Sequence, residues 1–270
     1  MTNQLWRCTK CDLPLIPESR SLACENGHSY DLAKEGYVNL MPTGKKLAPT
    51  VGDSTAMFAS RRAFFADGFY EPLRQRLTEL CVAEHPKTVG DIGCGEGYYI
   101  GGVATALPEA KCFGTDIAKD GIRMAAKQFK GVNFAVADTY GRLPLAEHAV
   151  DVLLDIFAPR NAAEFNRVLD PSGLLIVVIP TSDHLATMRK LYGLLGIQAD
   201  KRQAVLDGFA GEFALRDSEI LTFEMQLGAK DVAALIGMTP NARFQESVTA
   251  TYEPITTIAA FEIMSFQRLS

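Results

Sequence analysis

Four residues near the N-terminus have the types and spacing of a metal site: Cys8 and Cys11 stand two residues apart, and Cys24 and His28 follow with three between them. Three thiolates and one imidazole suit tetrahedral zinc, and with all four positions filled by protein the ion would be structural rather than catalytic. The alternatives are a disulfide pair or a redox Cys-x-x-Cys. The first expects a secretory signal, whereas Met1 to Cys8 lacks an apolar core, and the second expects a surrounding βαβ unit that is not legible here. A module of about 35 residues cannot make a core of its own, so its folding should depend on the ion. Cys81, Cys94 and Cys112 share no such spacing and are expected to be buried, or in a loop, rather than reactive.

A second group of residues has the chemistry of a nucleotide site. The stretch Thr88-Val-Gly-Asp91-Ile-Gly93-Cys-Gly95-Glu96-Gly97-Tyr98 is a short apolar run, an acidic residue and three alternating glycines, followed by a segment to Leu107 long enough for three helical turns. In a strand, turn and helix of this kind the glycines let the backbone lie close to a ligand at the helix N-terminus, where free amides point outward. A dinucleotide fingerprint, G-x-G-x-x-G, would need a glycine at Tyr98, so the spacing is D-x-G-x-G-x-G instead. Asp116 ends the next apolar run, Lys111 to Ile117, where doubly wound sites place a carboxylate for ribose hydroxyls. Asp138 follows the run Val132 to Ala137. The competing reading is a glycine-rich loop without a ligand.

The elements that must position these groups alternate. Ala56 to Asp67, capped by Ser54, and Glu71 to Val82 read as helices before the glycine stretch; Ala118 to Phe129 and Ala162 to Leu169 read as helices after it. Val150 to Ile156 and Leu174 to Ile179 are buried strands. Alternation of this kind means an α/β, doubly wound parallel sheet, with ligands beyond the carboxyl ends of its strands. That gathers Gly93 to Gly97, Asp116, Asp138 and the loop Asp155-Ile-Phe-Ala-Pro-Arg160 around one crevice. Tyr192 to Ala214 is polar and glycine-bearing, and is expected to be a mobile segment able to close over substrate. Glu219 to Leu227, a helix over Val232 to Met238, and paired strands Ser247 to Tyr252 and Thr257 to Phe266 should complete the sheet, the last strand antiparallel.

The chain has 270 residues, 47% of them apolar, enough for one large domain and a small appendage. No run of 18 apolar residues suggests a membrane span, and a soluble, cytoplasmic protein is expected. A net charge of -5 gives no global attraction to nucleic acid, so any such partner must be held by local basic groups.

The D-x-G-x-G-x-G pattern resembles motif I of the class I S-adenosylmethionine (SAM) methyltransferases. With the zinc knuckles, the string Ala33-Lys-Glu-Gly-Tyr-Val-Asn-Leu40, Gly52-Asp-Ser54 and Ala63-Phe64, most of the chain resembles the 23S rRNA guanine-N-1 methyltransferases. The resemblance is firm from Cys8 to about Asp138 and fainter beyond Leu185. It implies a zinc ribbon over residues 1–40, a linker over 41–55 and a SAM-binding domain over 56–270, which together make a cleft for an RNA hairpin. It implies SAM contacts from Tyr70, Asp91, Gly93, Gly95, Glu96, Gly97, Asp116, Asp138 and His184. A core aromatic at Tyr70, and a cap cluster of Thr181, Ser182 and Asp183 beside His184, are the bland readings of those positions. Lys45, Lys46, Arg61, Arg62 and Arg160 are candidates for RNA contact, the arginines because guanidinium forks match phosphates and stack on bases; a solvated loop for the lysines and local carboxylate partners for the arginines are the alternatives. A homodimer would widen the cleft, yet no coiled-coil repeat or symmetric apolar patch marks one.

The loop 155–160 narrows the chemistry. It lacks the (Asp/Asn)-Pro-Pro-aromatic pattern common in exocyclic amine methylation, and no cysteine follows Cys112 to act as a nucleophile for pyrimidine carbon-5. Direct transfer to a ring nitrogen remains, which needs alignment and removal of one proton. Asp155 is the carboxylate expected as general base, or it simply ends its strand. A small-molecule SAM methyltransferase, or a zinc and RNA-binding protein with an inactive catalytic domain, are the other function classes open to this sequence.

Overall fold

The computed structural model describes residues 5–42, 44, 52–197, 200–239 and 251–269. The N-terminal part is a three-stranded antiparallel sheet of β1 (Ile16–Glu18), β2 (Ser21–Ala23) and β3 (Ser29–Asp31). Its continuation, β4 (Val38–Asn39), leaves that sheet and runs parallel to β7 (Asn133–Val136), with Val38 opposite Ala135. This short strand is the edge of the large sheet. Lys45 and Lys46 lie outside the described residues.

Helix α1 (Thr55–Ala66) starts where Ser54 accepts the Met57 amide, and α2 (Glu71–Ala83) carries Pro72 in its first turn, where a missing amide costs nothing. Then come β5 (Thr88–Ile92), α3 (Tyr98–Ala106), β6 (Lys111–Asp116), α4 (Lys119–Gln128), β7, β8 (Val150–Ile156), α5 (Ala162–Val168) and β9 (Leu169–Pro180). After them follow α6 (Ala186–Tyr192), α7 (Lys201–Phe209), β10 (Phe213–Leu227), α8 (Ala229–Gly237) and β11 (Ile255–Arg268). The large sheet has the order β10-β11-β9-β8-β5-β6-β7-β4. Strands β4 to β9 run parallel, and β11 is antiparallel to both β9 and β10. Every residue of β5 is buried, as a strand covered on both faces requires. The chain leaves β5 toward β6 on one side and later returns as β8 on the other, so the crevice of this sheet opens at the carboxyl end of β5.

Alternate residues of the strands feed two apolar layers: Leu174, Ile176 and Val178 face one, Leu175, Val177 and Ile179 the other. The N-terminal module joins the second layer through Leu5, Trp6, Leu15 and Leu22. Trp6 sits edge-on to Phe113 with ring centres 5.7 Å apart and pairs with Leu145, while the Arg7 amide donates to the Pro144 carbonyl at 2.9 Å. The module thus shares a core with the sheet rather than making its own.

Two expectations change. The segment 192–214 holds α7, whose Val205 and Phe209 are buried in that same layer, Phe209 with its ring 5.1 Å from that of Phe266. Its polar composition describes only the outer face of an amphipathic helix. The strand paired with β11 is β10, which begins at Phe213, six residues before the expected start; Ser247 to Ala250 lie outside the described residues, and Thr251 and Tyr252 are irregular. The outer edge strand has an exposed, irregularly patterned middle, which is why its alternation is hard to read.

Because Trp6 is only 8% exposed and forms the joint between module and sheet, Trp6→Ala should cost about 3 kcal/mol or more of unfolding free energy. Urea unfolding followed by circular dichroism checks this, and zinc should be lost earlier in the transition than in the parent protein.

Candidate functional site

The first site is the N-terminal tetrad. Cys8 Sγ, Cys11 Sγ and Cys24 Sγ lie 3.4, 3.5 and 3.5 Å from His28 Nδ1, and Cys11 Sγ lies 3.6 Å from Cys24 Sγ. A tetrahedral zinc with bonds of about 2.3 Å to sulfur and about 2.0 Å to nitrogen requires edges of about 3.5 to 3.8 Å, so the donors fit that ion. All four donor atoms lie within 4.8 Å of one another. Burial raises the Cys8 thiol, but bonds from the Tyr30 hydroxyl at 3.2 Å and from the Lys10 and Cys11 backbone outweigh it and bring it down to about 6, which favours the thiolate a metal needs. Tyr30 is itself fixed by the amide and hydroxyl of Thr9.

The second site is a cavity of about 480 Å³ at the carboxyl end of β5, within the span typical of small-ligand pockets. Its floor is the turn between β5 and α3, where Gly93, Gly95 and Gly97 have φ of +77°, +55° and +79°. A side chain at Gly93 would bring its Cβ within 2.5 Å of the Ala158 Cβ, so the loop after β8 lies directly on the turn. Asp116 holds the turn from below, accepting the amides of Gly95 at 2.9 Å and Ala118 at 2.7 Å.

Asp91, Glu96 and Asp116 line this cavity together with Gly93, Gly95, Tyr70 and His184. Asp91 Oδ2, both Glu96 carboxyl oxygens and the Tyr99 hydroxyl are buried without a hydrogen-bond partner among the described residues. Burial, then the charge of Asp116, pushes Asp91 up to about 8; burial pushes Glu96 up to about 7 against the pull of Arg61. Acidic groups held in this way favour a cationic ligand, and the sulfonium and ammonium of SAM supply one. The residues fit that cofactor.

Tyr70 and His184 come from distant elements and meet here. The His184 Nδ1 accepts the Ala260 amide at 3.2 Å, which places the proton of a neutral ring on Nε2, 3.3 Å from the Tyr70 hydroxyl oxygen. Burial first, then the charges of Arg189 and Lys201, lower His184 to about 3, so the ring stays neutral. The Tyr70 hydroxyl therefore accepts from His184 and keeps its own proton for another partner.

Other expected positions fall elsewhere. Gly97 shapes the turn without lining the cavity, and Asp138, just past β7, accepts the Tyr140 amide and is also outside the lining. Arg61 turns inward: it pairs with Asp53 at 2.5 Å and Glu96 at 3.8 Å and reaches the Met238 carbonyl, whereas Arg62 is exposed. Asp155 is wholly buried and does not line the cavity; Arg160 Nε is 3.6 Å from its Oδ1. Burial raises Asp155 well above the usual carboxylate range, only partly offset by Arg160, which makes it a poor proton acceptor for the cavity it does not line. The helix after β9 has no side-chain cap, and Leu185 starts it in the left-handed region.

Sequence reasoning passed over Arg189, Lys201 and Phe261, and gave no individual role to Asp53 or to Phe157 of the 155–160 loop, all of which line the cavity. Arg189 and Lys201 come from α6 and α7, beside or within a stretch read as mobile, and Phe261 from the last strand. Phe157 has φ of +56°, a conformation that costs an aromatic residue about 1 to 2 kcal/mol.

Comparison with known proteins identifies relatives of both parts of the chain. A zinc-ribbon family model described as RlmA, N-terminal, matches residues 6–48, and a methyltransferase domain model matches residues 89–173. A 23S rRNA (guanine(748)-N(1))-methyltransferase of Streptomyces fradiae is 36% identical, over 89% of this chain and 86% of its own length. A protein of Micromonospora griseorubida provisionally named a 23S rRNA (guanine-N(1)-)-methyltransferase is 37% identical, over 97% of this chain and 96% of its own. The similarly named YxjB of Bacillus subtilis is 36% identical, over 88% and 86%.

Two outcomes follow. Chelation of the metal, or Cys24→Ser, should unfold the N-terminal module and lower the melting temperature, with about one zinc per chain found by atomic absorption in the untreated protein. Asp91 keeps its proton to about pH 8 when folded but only to near 4 when unfolded, so its contribution to stability is complete below pH 4 and is lost as pH rises toward 8. His184 acts in the opposite sense only below about 6.5. The Cys8 thiol, lowered to about 6, opposes this in the same window in both proteins, so from pH 6.5 to 8 the measured change in unfolding free energy should be less negative in Asp91→Asn than in the parent protein.

Proposed function

The chain belongs to the 23S rRNA (guanine-N-1) methyltransferase family, and from that premise we propose that it methylates N-1 of a guanine in a hairpin of 23S rRNA, using SAM. The observation that carries this reading is the make-up of the cavity: Asp91, Glu96 and Asp116 line it at and beside the glycine turn, and Lys201, Arg189 and the exposed ring of Phe157 are among its further lining groups. When bound, SAM would supply a methyl group already activated by its sulfonium, the C–S bond breaking as the N–C bond forms and the guanine N-1 proton passing to solvent, so the protein's work is chiefly alignment. Asp91 and Glu96 offer unsatisfied oxygens to the cationic part, Asp116 stands where a ribose would lie, and Tyr70 is oriented by His184 to donate into the cavity. Arg61 anchors Glu96 and ties α1 to the turn. In this reading Asp155 is a buried partner that orients Arg160 and the loop after β8, rather than the group that takes the N-1 proton.

The zinc module supports an RNA acceptor over a small molecule, because it extends the body beyond the catalytic sheet without lining the cavity. Arg62, exposed on α1, is a candidate for the RNA backbone, as are Lys45 and Lys46. A homodimer and a cytoplasmic location belong to the same proposal; among the described residues no helix is long and apolar enough to cross a membrane.

Labelled SAM and unmodified 23S rRNA should yield 1-methylguanosine, identified by nuclease digestion and mass spectrometry. Gly93→Val should weaken SAM binding roughly 100-fold in calorimetry, since strain at positive φ and a displaced loop together cost about 3 kcal/mol. SAM binding without an RNA product would point to a small-molecule acceptor, and a folded, zinc-loaded protein that binds no SAM would point to an inactive catalytic domain.

A further inference from the structure

We propose that Phe157 is the platform on which the target guanine stacks, an assignment that rests on the guanine N-1 reading above. The residue follows β8 directly and lines the cavity, yet 42% of it is exposed, unlike the buried aromatic Phe261 behind it. Its ring centre is 5.3 Å from that of Phe261, whose ring in turn lies 4.7 Å from His184. One side of the Phe157 ring therefore has firm support, and a large part of it faces the open cavity.

The backbone of Phe157 is held in this position. Among the described residues six that are not glycine have positive φ, and the two large apolar ones, Phe157 and Leu185, both line the cavity. Glycine or asparagine would relieve the strain at 157; an aromatic ring there is strained and half in water. What holds the loop is contact on both sides: the Phe157 amide donates to the Val178 carbonyl at 3.3 Å, and Ala158 rests on Gly93. The ring cannot retreat from the glycine turn, so it stays beside the place where the methyl group would be presented. Strain kept in a functional cavity by its surroundings is a mark of preorganisation.

The chemistry of the surrounding groups selects the ligand. A flat, supported ring is a stacking surface for any base that has been drawn out of its helix or loop. Lys201 and Arg189 bring positive charge to the same cavity, where a guanine carbonyl oxygen and its phosphate would meet it, while the acidic groups are at the glycine turn. A small carboxylic acid or amine acceptor would gain from the cations or from the carboxylates, but not from a strained aromatic plane.

The test uses the full-length, zinc-loaded chain. Phe157→Ala should leave SAM binding by calorimetry within about twofold and lower kcat/KM for 23S rRNA transcript by roughly 10- to 100-fold, the range for loss of one base stack. Phe157→Trp should retain activity within a few-fold, and its indole fluorescence should be quenched by the same transcript, whereas the buried Trp6, the only native tryptophan, gives the unquenched control in the parent protein. Full activity in Phe157→Ala, or an unquenched indole in Phe157→Trp, would overturn the platform while leaving guanine methylation intact. Absence of 1-methylguanosine with the parent protein would overturn both. If Phe157→Ala fails to fold, the quenching of Phe157→Trp decides alone.

Discussion

The turn between β5 and α3 passes through a gap that admits no side chain, and the rest of the catalytic half is arranged around that fact. At Gly93 the neighbour is Ala158; at Gly97 a Cβ would come within 3.1 Å of both Ala125 and Phe134. Glycine is required twice over, for positive φ and for space. Because β5 is buried on both faces, the turn cannot move outward to make room, and the loop after β8 must close down on it. Asp116, from the neighbouring strand, fixes the turn by accepting the Gly95 amide. The same tight crossing that denies Gly93 a side chain holds Phe157 in its strained position.

The N-terminal module is stabilised by a different combination. Its own sheet has three strands of three residues each, far too little for a core. The four metal donors supply one constraint, and burial of Trp6, Leu5 and Leu15 in a layer of the large sheet supplies another. A third is β4, which gives the module's last residues a hydrogen-bonded place beside β7. The metal donors thus brace the module internally, while the shared core and β4 attach it to the large sheet.

What the sequence made legible is what depends on near neighbours. The metal tetrad, the glycine turn, Ser54 as a cap and the run of helices and strands from α1 to β9 are all written in spacings of fewer than 30 residues. Tyr70 and His184 were named separately, but no local pattern shows that one orients the other across 114 positions. Arg61 illustrates the limit: an arginine pair on a helix suggests phosphate contact, and only the fold reveals that Asp53 and Glu96 draw one of them inward. Asp155 ends a strand at the crevice, yet strand alternation sends Ile156 to the cavity and Asp155 away from it. Nor does any sequence signal report a positive φ at a phenylalanine, because it is imposed by what lies on either side.

The charge of this chain also has to be read from the fold. The formal value of -5 counts every carboxylate as ionised, but burial raises Asp155 well above the usual carboxylate range and Asp91 to about 8. Arg61 offsets Asp53 and Glu96, which lie inside with it. The folded protein therefore repels RNA less than its composition implies, and its acidic groups are gathered where a cationic cofactor, rather than a phosphate, would meet them. A cation held beside Asp91 would favour its ionised form, as burial and Asp116 favour the protonated one.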